Sequence, residues 1–297
     1  MLKIKRCNIS EMAARLGGLF CDEEPVVGFI FADRRIRLDP ASFTKTKWDE
    51  FIQKDWVIGT VKYDAAEDAN VDPTYTDLTT GESIKQNDGI KKWNTTYYKG
   101  NCFQNELQKL DKSQRYSIFV VFQDGSMLGQ LMKDGKVKGF DVRLFTGIKN
   151  VKTAAEGGGS TLRIDLTRDA MTYWQRSSVL VESTEMSFTE LNPVTGVNLK
   201  VLSPLVAGAT STKIEISNMC ANSTVIGLET PAKWKMRRNG VLEAVTAITE
   251  VNGVYTYTHA ALVAGDNISF EINDGGYSVY VLDTDYYAGK TQEEKVA

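Results

Sequence analysis

Between Asn192-Pro193 and Lys290 the chain becomes a series of short β-prone runs, each closed by a turn signal at intervals of about ten residues, and that spacing constrains the fold more than any other feature. The runs are Leu199–Leu202, Lys213–Cys220, Ala232–Arg237, Ala244–Thr249, Val254–His259, Asn267–Ile272 and Tyr277–Leu282. Asn239-Gly240 and Asn252-Gly253 are dipeptides of tight hairpins, because both residues tolerate the positive φ that such turns need. Asp274-Gly275-Gly276 joins the last two runs.

Seven strands in about ninety residues, with Trp234 in the third, predict an immunoglobulin-like (Ig-like) β-sandwich over 196–290. The charged stretch 291–297 is expected to be a flexible tail. That leaves 1–195 for another domain, and 297 residues are enough for two. A fraction of 42% apolar residues lets each half bury a core.

The N-terminal half also reads as mainly β, a sandwich or barrel-like domain with one to three short helices. Ser10 is placed to cap a helix over Glu11–Leu16, with Gly17-Gly18 as its stop. Pro25–Ala32 and Arg34–Leu38 read as strands, and Asp39-Pro40 starts an amphipathic helix running to about Lys54. Trp56–Tyr63 alternates like a strand. From Asp64 to Gly89 the chain turns polar and acidic, a long loop with a hairpin near Thr79-Thr80-Gly81. Trp93–Lys99 is a strand, and Asn101 caps a helix carrying Phe103, Leu107 and Leu110 on one face. Tyr116–Phe122, Met127–Met132 and Val137–Phe145 form a meander joined by the turns Asp124-Gly125 and Asp134-Gly135. Gly157-Gly158-Gly159 belongs to a polar hairpin tip, followed by strands at Leu162–Leu166 and Ser178–Glu182. The stretch Asp169–Arg176 between them is loop or a single helical turn.

Several function classes lose support here. A net charge of −3 gives no general electrostatic reason to bind nucleic acid or an anionic membrane. The N-terminus lacks an apolar core of the signal-peptide kind, and no apolar run is long enough for a spanning helix, so the chain is expected to fold in a cytoplasm. Cys7, Cys21, Cys102 and Cys220 show no paired spacing and are expected to be reduced thiols. The only histidine, His259, lies in a sandwich strand and cannot alone build a triad or a multi-histidine metal site. Gly157–Ser160 lacks the following lysine and helix of a phosphate loop. Asp68, Asn70 and Asp72 have the oxygen spacing that begins a calcium loop, but Pro73 and Thr79 stand where glycine and glutamate belong. That favours a solvated acidic loop and leaves a looser calcium site, or ordering on assembly, open. No catalytic, cofactor-binding or metal-ligating residue is assigned, and the chain does not read as an enzyme.

The aromatics Trp48, Trp56, Trp93, Tyr97, Tyr98, Tyr173 and Trp174 divide between core and subunit interface, with a sugar platform as a further option. In the sandwich, Tyr255, Tyr257, Tyr277 and Tyr280 alternate along strands, so one aromatic face there could contact glycan.

Residues 93–182 resemble tail-tube and related virion proteins of tailed bacteriophages. The likeness runs from Trp93-Asn-Thr-Thr-Tyr-Tyr-Lys-Gly100 through Phe103–Leu110, Tyr116–Phe122 and Asp124–Gly129 to Asp134-Gly-Lys-Val-Lys-Gly-Phe140. It implies a subunit that self-assembles into a ring or tube by pairing sheets, with a long loop (here Asp64–Gly89) reaching the neighbouring ring and the Ig-like domain displayed outward. Its implied partners are copies of itself and neighbouring virion proteins, its implied setting the virion. It implies no catalytic residues and no cofactor. A collar or head–tail connector subunit, a capsid-associated decoration protein and a carbohydrate- or surface-binding module stand as alternatives.

Overall fold

A computed structural model of the chain describes residues 2–6, 24–153 and 157–297. The helix expected over Glu11–Leu16 lies outside the described residues. The chain divides into two compact units, Met1–Trp48 with Trp56–Leu191, and Asp49–Asp55 with Asn192–Ala297. Both are mainly β.

The first unit contains β1 (Leu2–Arg6), β2 (Val26–Asp33), α1 (Lys45–Gln53, whose last turns group with the second unit), β3 (Val57–Lys62), β4 (Ala65–Asp68), β5 (Thr74–Asp77) and β6 (Ser83–Asn87). There follow β7 (Lys92–Tyr97), α2 (Asn101–Gln108), β8 (Tyr116–Phe122), β9 (Met127–Leu131), β10 (Val137–Lys138), β11 (Phe140–Thr146), β12 (Ser160–Leu166), α3 (Arg168–Arg176) and β13 (Ser178–Ser183). One sheet runs β1-β13-β9-β8-β11-β12-β7-β4, with β2 added along β8 and β3 along β2, while β5 and β6 pair only with each other.

The continuous apolar run of β8 is explained by cover on both faces. Ile118, Val120 and Phe122 join a core with Phe29, Phe31, Leu144, Leu162 and Ile164. On the other face Phe119 meets Trp48, whose ring packs on Phe188 5.4 Å away. The Asp-Gly turns form as expected, with Gly125 and Gly135 at φ 84° and 79°. The strand expected over Val137–Phe145 breaks into β10 and β11 at Gly139, where a Cβ would lie 2.8 Å from the Ile118 carbonyl oxygen. The backbones approach too closely there for a side chain.

Three other expectations change. Arg34–Leu38 is not a strand: only Leu38 bridges to Val137, and its charges are drawn into ion pairs instead. The Asp39-Pro40 start opens a 3-10 turn, Pro40–Ser42, with Asp39 accepting from Ala41 N–H, before α1 begins at Lys45. Asp169–Arg176 lies in α3, a full helix capped by the Thr167 hydroxyl, with Asp169 in its first turn and Arg176 in its last. At α2 the capping position is Gly100, and Asn101 is the first helical residue.

The second unit holds β14 (Thr195–Val201), β15 (Ser211–Asn218), β16 (Trp234–Arg238), β17 (Val241–Ala244), β18 (Ala247–Val251), β19 (Val254–Thr258), β20 (Asn267–Ile272), β21 (Tyr280–Leu282), β22 (Asp285–Ala288) and β23 (Glu294–Lys295). One sheet runs β18-β19-β15-β14-β22-β21 and the other β17-β16-β20-β23. Lettered in the usual way, the first contains D-E-B-A and the second C′-C-F-G, which is the Ig-like order with a β21–β22 hairpin inserted before the last strand. Trp234 begins the third strand and is fully buried. Its indole N–H donates to the Leu228 carbonyl at 2.9 Å, and its ring meets Tyr257 edge-on at 5.1 Å.

The run Ala244–Thr249, expected as one strand, turns between the sheets, ending β17 and beginning β18. Val245 at that corner is buried, and apolar patterning alone does not reveal a change of sheet. The 291–297 stretch, expected as a flexible tail, closes the second sheet. Asn267 and Ile268 pair with Lys295 and Glu294, Val296 is 3% exposed, and the Ala297 N–H donates to the Leu205 carbonyl. One buried valine outweighs the charge of its neighbours.

Candidate functional site

The acidic stretch Asp64–Gly89 is built as an arm. β4 pairs antiparallel with β7 from Ala65↔Thr96 to Asp68↔Trp93, and a Val71↔Ile90 bridge closes the base. Beyond it β5 and β6 form a hairpin around Leu78–Glu82, with Gly81 at φ 83°, where the sequence places it. Every residue of β4, β5 and β6 is exposed. Tyr75, at 60%, and Ile84 stand on the hairpin without burial. The Asp77 carboxylate accepts from Ser83 Oγ, and Lys85 pairs with Asp88 at 2.9 Å. Such exposed contacts are screened by solvent and add little. A lone two-stranded hairpin is marginal in water.

The calcium pattern does not converge. Asp68 holds Lys91 Nζ at 2.9 Å with both oxygens, and the Asn70 side-chain oxygen accepts from the Lys92 N–H at 3.1 Å. Among the described residues no group of three or more His, Cys, Asp or Glu could hold a metal ion. The Gly157–Gly159 stretch lies against Tyr98, the Gly159 backbone so close that a Cβ would meet its ring at 3.2 Å.

His259 is a core residue. Its Nε2 lies 2.8 Å from Thr212 Oγ1 and its Nδ1 2.8 Å from the Ala260 carbonyl, an arrangement of the neutral ring with the proton on Nδ1. Burial pushes its pKa below the ordinary value, and Arg238 adds to that. Asp33 is perturbed in the same direction by a different cause. Its carboxylate accepts from Arg35 Nε at 3.1 Å and Arg115 Nε at 3.3 Å, and these bonds hold its pKa well below the usual range. Both groups lie inside packed structure rather than in a cleft.

Two shallow grooves occur in the first unit. One, of about 410 Å³, is lined by Gln130, Lys138, Asp141, Asp169 and Tyr173, with Lys138 and Asp141 paired at 2.8 Å. The other, of about 490 Å³, is lined by Asp124, Glu182, Glu185 and Glu190 among others. In the second, Ser126 Oγ donates to the Asp124 carboxylate at 2.7 Å.

The aromatics separate clearly. Trp48, Trp93 and Tyr97 are core, Tyr173 and Trp174 are half-buried, and Trp56 and Tyr98 are exposed. In the sandwich Tyr255, Tyr257 and Tyr280 do form one face, but it is the inner one, and Trp234 lies with them. Tyr277, the fourth tyrosine of that expectation, is half-buried and stands outside this cluster.

Cys102 and Cys220 are each disulfide-bonded, and there is no free cysteine among the described residues. For these two this corrects the expectation of reduced thiols; Cys7 and Cys21 lie outside the described residues. That expectation came from spacing, and spacing does not reveal which thiols the fold brings together.

No protein-family model matches this chain, and no curated protein matches it. What the fold defines is a mainly β protein of two units, the second an Ig-like sandwich, whose first unit carries an exposed hairpin arm.

Proposed function

We propose that this chain is a structural subunit of a tailed-bacteriophage particle that assembles with copies of itself into a ring or tube, as a tail-tube, collar or connector component. The observation that carries self-assembly is the arm. Its strands present apolar side chains on a hairpin that no described residue of its own chain buries. Among the described residues β4 has no strand on its outer edge, which makes that end of the main sheet a template for another strand. The virion setting rests on the resemblance of residues 93–182, and the disulfides are compatible with it, since such bonds persist on particle surfaces.

The test is electron microscopy and sedimentation velocity of the purified full chain over a wide range of concentration. Rings or tubes support the reading. A particle that stays monomeric at the highest soluble concentration overturns it.

A further inference from the structure

The triplet Asn-Gly-Val occurs twice, at Asn239–Val241 and Asn252–Val254, and each time its first two residues are the turn of a hairpin in the second unit. The φ angles of Asn and Gly are 48° and 86° in the first turn and 53° and 80° in the second, so the backbone is nearly the same in both. Asn-Gly is also a dipeptide open to self-modification. Glycine has no Cβ to hinder its backbone nitrogen, and that nitrogen reaches the preceding side-chain carbonyl carbon within one five-membered ring. With sequence and backbone equal, only the surroundings distinguish the two turns.

Asn239 is held. Its Nδ2 donates to Asp266 Oδ1 at 2.8 Å, its Oδ1 accepts from the Asn267 N–H at 2.9 Å, and its own N–H donates to the Asn267 carbonyl at 2.9 Å. Both side-chain bonds must break before Cγ can turn towards the Gly240 nitrogen.

Asn252 is exposed, and its side chain makes no hydrogen bond among the described residues. The Gly253 N–H is the engaged group here, donating to Glu250 Oε1. A carboxylate on that proton is placed as a general base, within hydrogen-bond reach of what it removes. Among the described residues no carboxylate accepts from the Gly240 N–H. Gly253 is also fixed as glycine, since a Cβ there would lie 1.9 Å from Thr224 Cγ2.

We infer that Asn252-Gly253 is a self-modifying site, at which Glu250 takes the Gly253 amide proton and the freed nitrogen closes on Asn252 Cγ. The N–Cγ bond forms as the Cγ–Nδ2 bond breaks, the departing nitrogen takes the proton from Glu250 and leaves as ammonia, and a succinimide remains. Water then opens the ring at either carbonyl, giving aspartate or isoaspartate. Both products put a new negative charge beside Glu250, whose own N–H already donates to the Glu229 carboxylate. Isoaspartate also adds a methylene to the backbone of a two-residue turn. The strand that this loosens is β18, at the edge of its sheet. The site does not depend on how copies assemble.

The test incubates the folded, full-length chain at mildly alkaline pH, digests samples at intervals and follows each asparagine by mass spectrometry. Asn252 should convert at least about tenfold faster than Asn239, which must first release two side-chain bonds. In concentrated urea the two rates should converge, because the triplets are identical. Glu250→Gln keeps an oxygen for the Gly253 N–H but is no base, so it should slow Asn252 several-fold and leave Asn239 unchanged. Should that variant unfold, Asn239 speeds up with it, and the ratio within the unaltered chain decides alone. Equal rates at the two sites of the folded chain, or an Asn252 that converts as fast in folded Glu250→Gln as in the unaltered chain, overturn the inference.

Discussion

Replacing Trp234 isolates what holds the second unit together. The side chain is fully buried, its ring edge-on to Tyr257 and tilted against Tyr280, and its N–H is bonded to the Leu228 carbonyl. Trp234→Phe keeps most of the ring but strips that carbonyl of the indole donor, a loss of about 1–3 kcal/mol. Trp234→Ala adds a cavity, and the total should reach about 3–5 kcal/mol or more. Against a typical stability of about 5–15 kcal/mol, the alanine variant stands near the limit of folding. The remaining tryptophans, Trp48, Trp56, Trp93 and Trp174, all lie in the first unit. In guanidinium titrations, the indole fluorescence of either variant therefore follows the first unit alone, while far-ultraviolet circular dichroism follows both. The fluorescence transition should stay in place as the second unit's transition moves to lower denaturant. A phenylalanine variant that loses less than about 0.5 kcal/mol, below the cost of orphaning a buried carbonyl, would refute the reasoning.

Val296→Ala should destabilise the same unit by about 2 kcal/mol, because the side chain is core rather than tail; calorimetry of the full chain reads this directly. His259 is held neutral, its pKa depressed by burial, so its contribution is complete above pH about 6.5 and fades as pH falls through the folded value. In His259→Gln the loss of midpoint between pH 7 and 5 should shrink. Asp33 is depressed by its arginine partners, so its stabilisation is present above pH about 3.9 and is lost on further acidification; Asp33→Asn should flatten that part of the curve. Alkylation of the unfolded, unreduced chain should leave Cys102 and Cys220 unlabelled by mass spectrometry, and reduction should cost about 2–5 kcal/mol.

Much of the fold was legible because its signals are local. Asp124-Gly125, Asp134-Gly135, Asn239-Gly240 and Asn252-Gly253 each specify a turn through one or two positive φ angles, and all four appear. The alternation of Tyr255 and Tyr257 was correctly read as one face of a strand, but alternation does not say whether that face points inward. The misses are non-local. Arg34–Leu38 alternates like a strand yet its arginines find Asp33, Asp141 and Asp134 instead. The pairing of β23 depends on β20, and the disulfides depend on tertiary proximity. The arm's hairpin was placed by Thr79-Thr80-Gly81.

The parallel contact between β14 and β22 bears on how fast the second unit forms. Thr195 and Gly196 meet Tyr287 and Ala288, partners about ninety residues apart in the chain. Such distant pairing must be closed before it is rewarded, and domains dominated by it fold in milliseconds to seconds rather than microseconds. The hairpins at Asn239-Gly240 and Asn252-Gly253 close over a few residues, whereas the β14–β22 pairing must close over about ninety. Nascent copies would spend that interval with an open sandwich, and a crowded, fast-translating cell would have to keep them apart until it shuts.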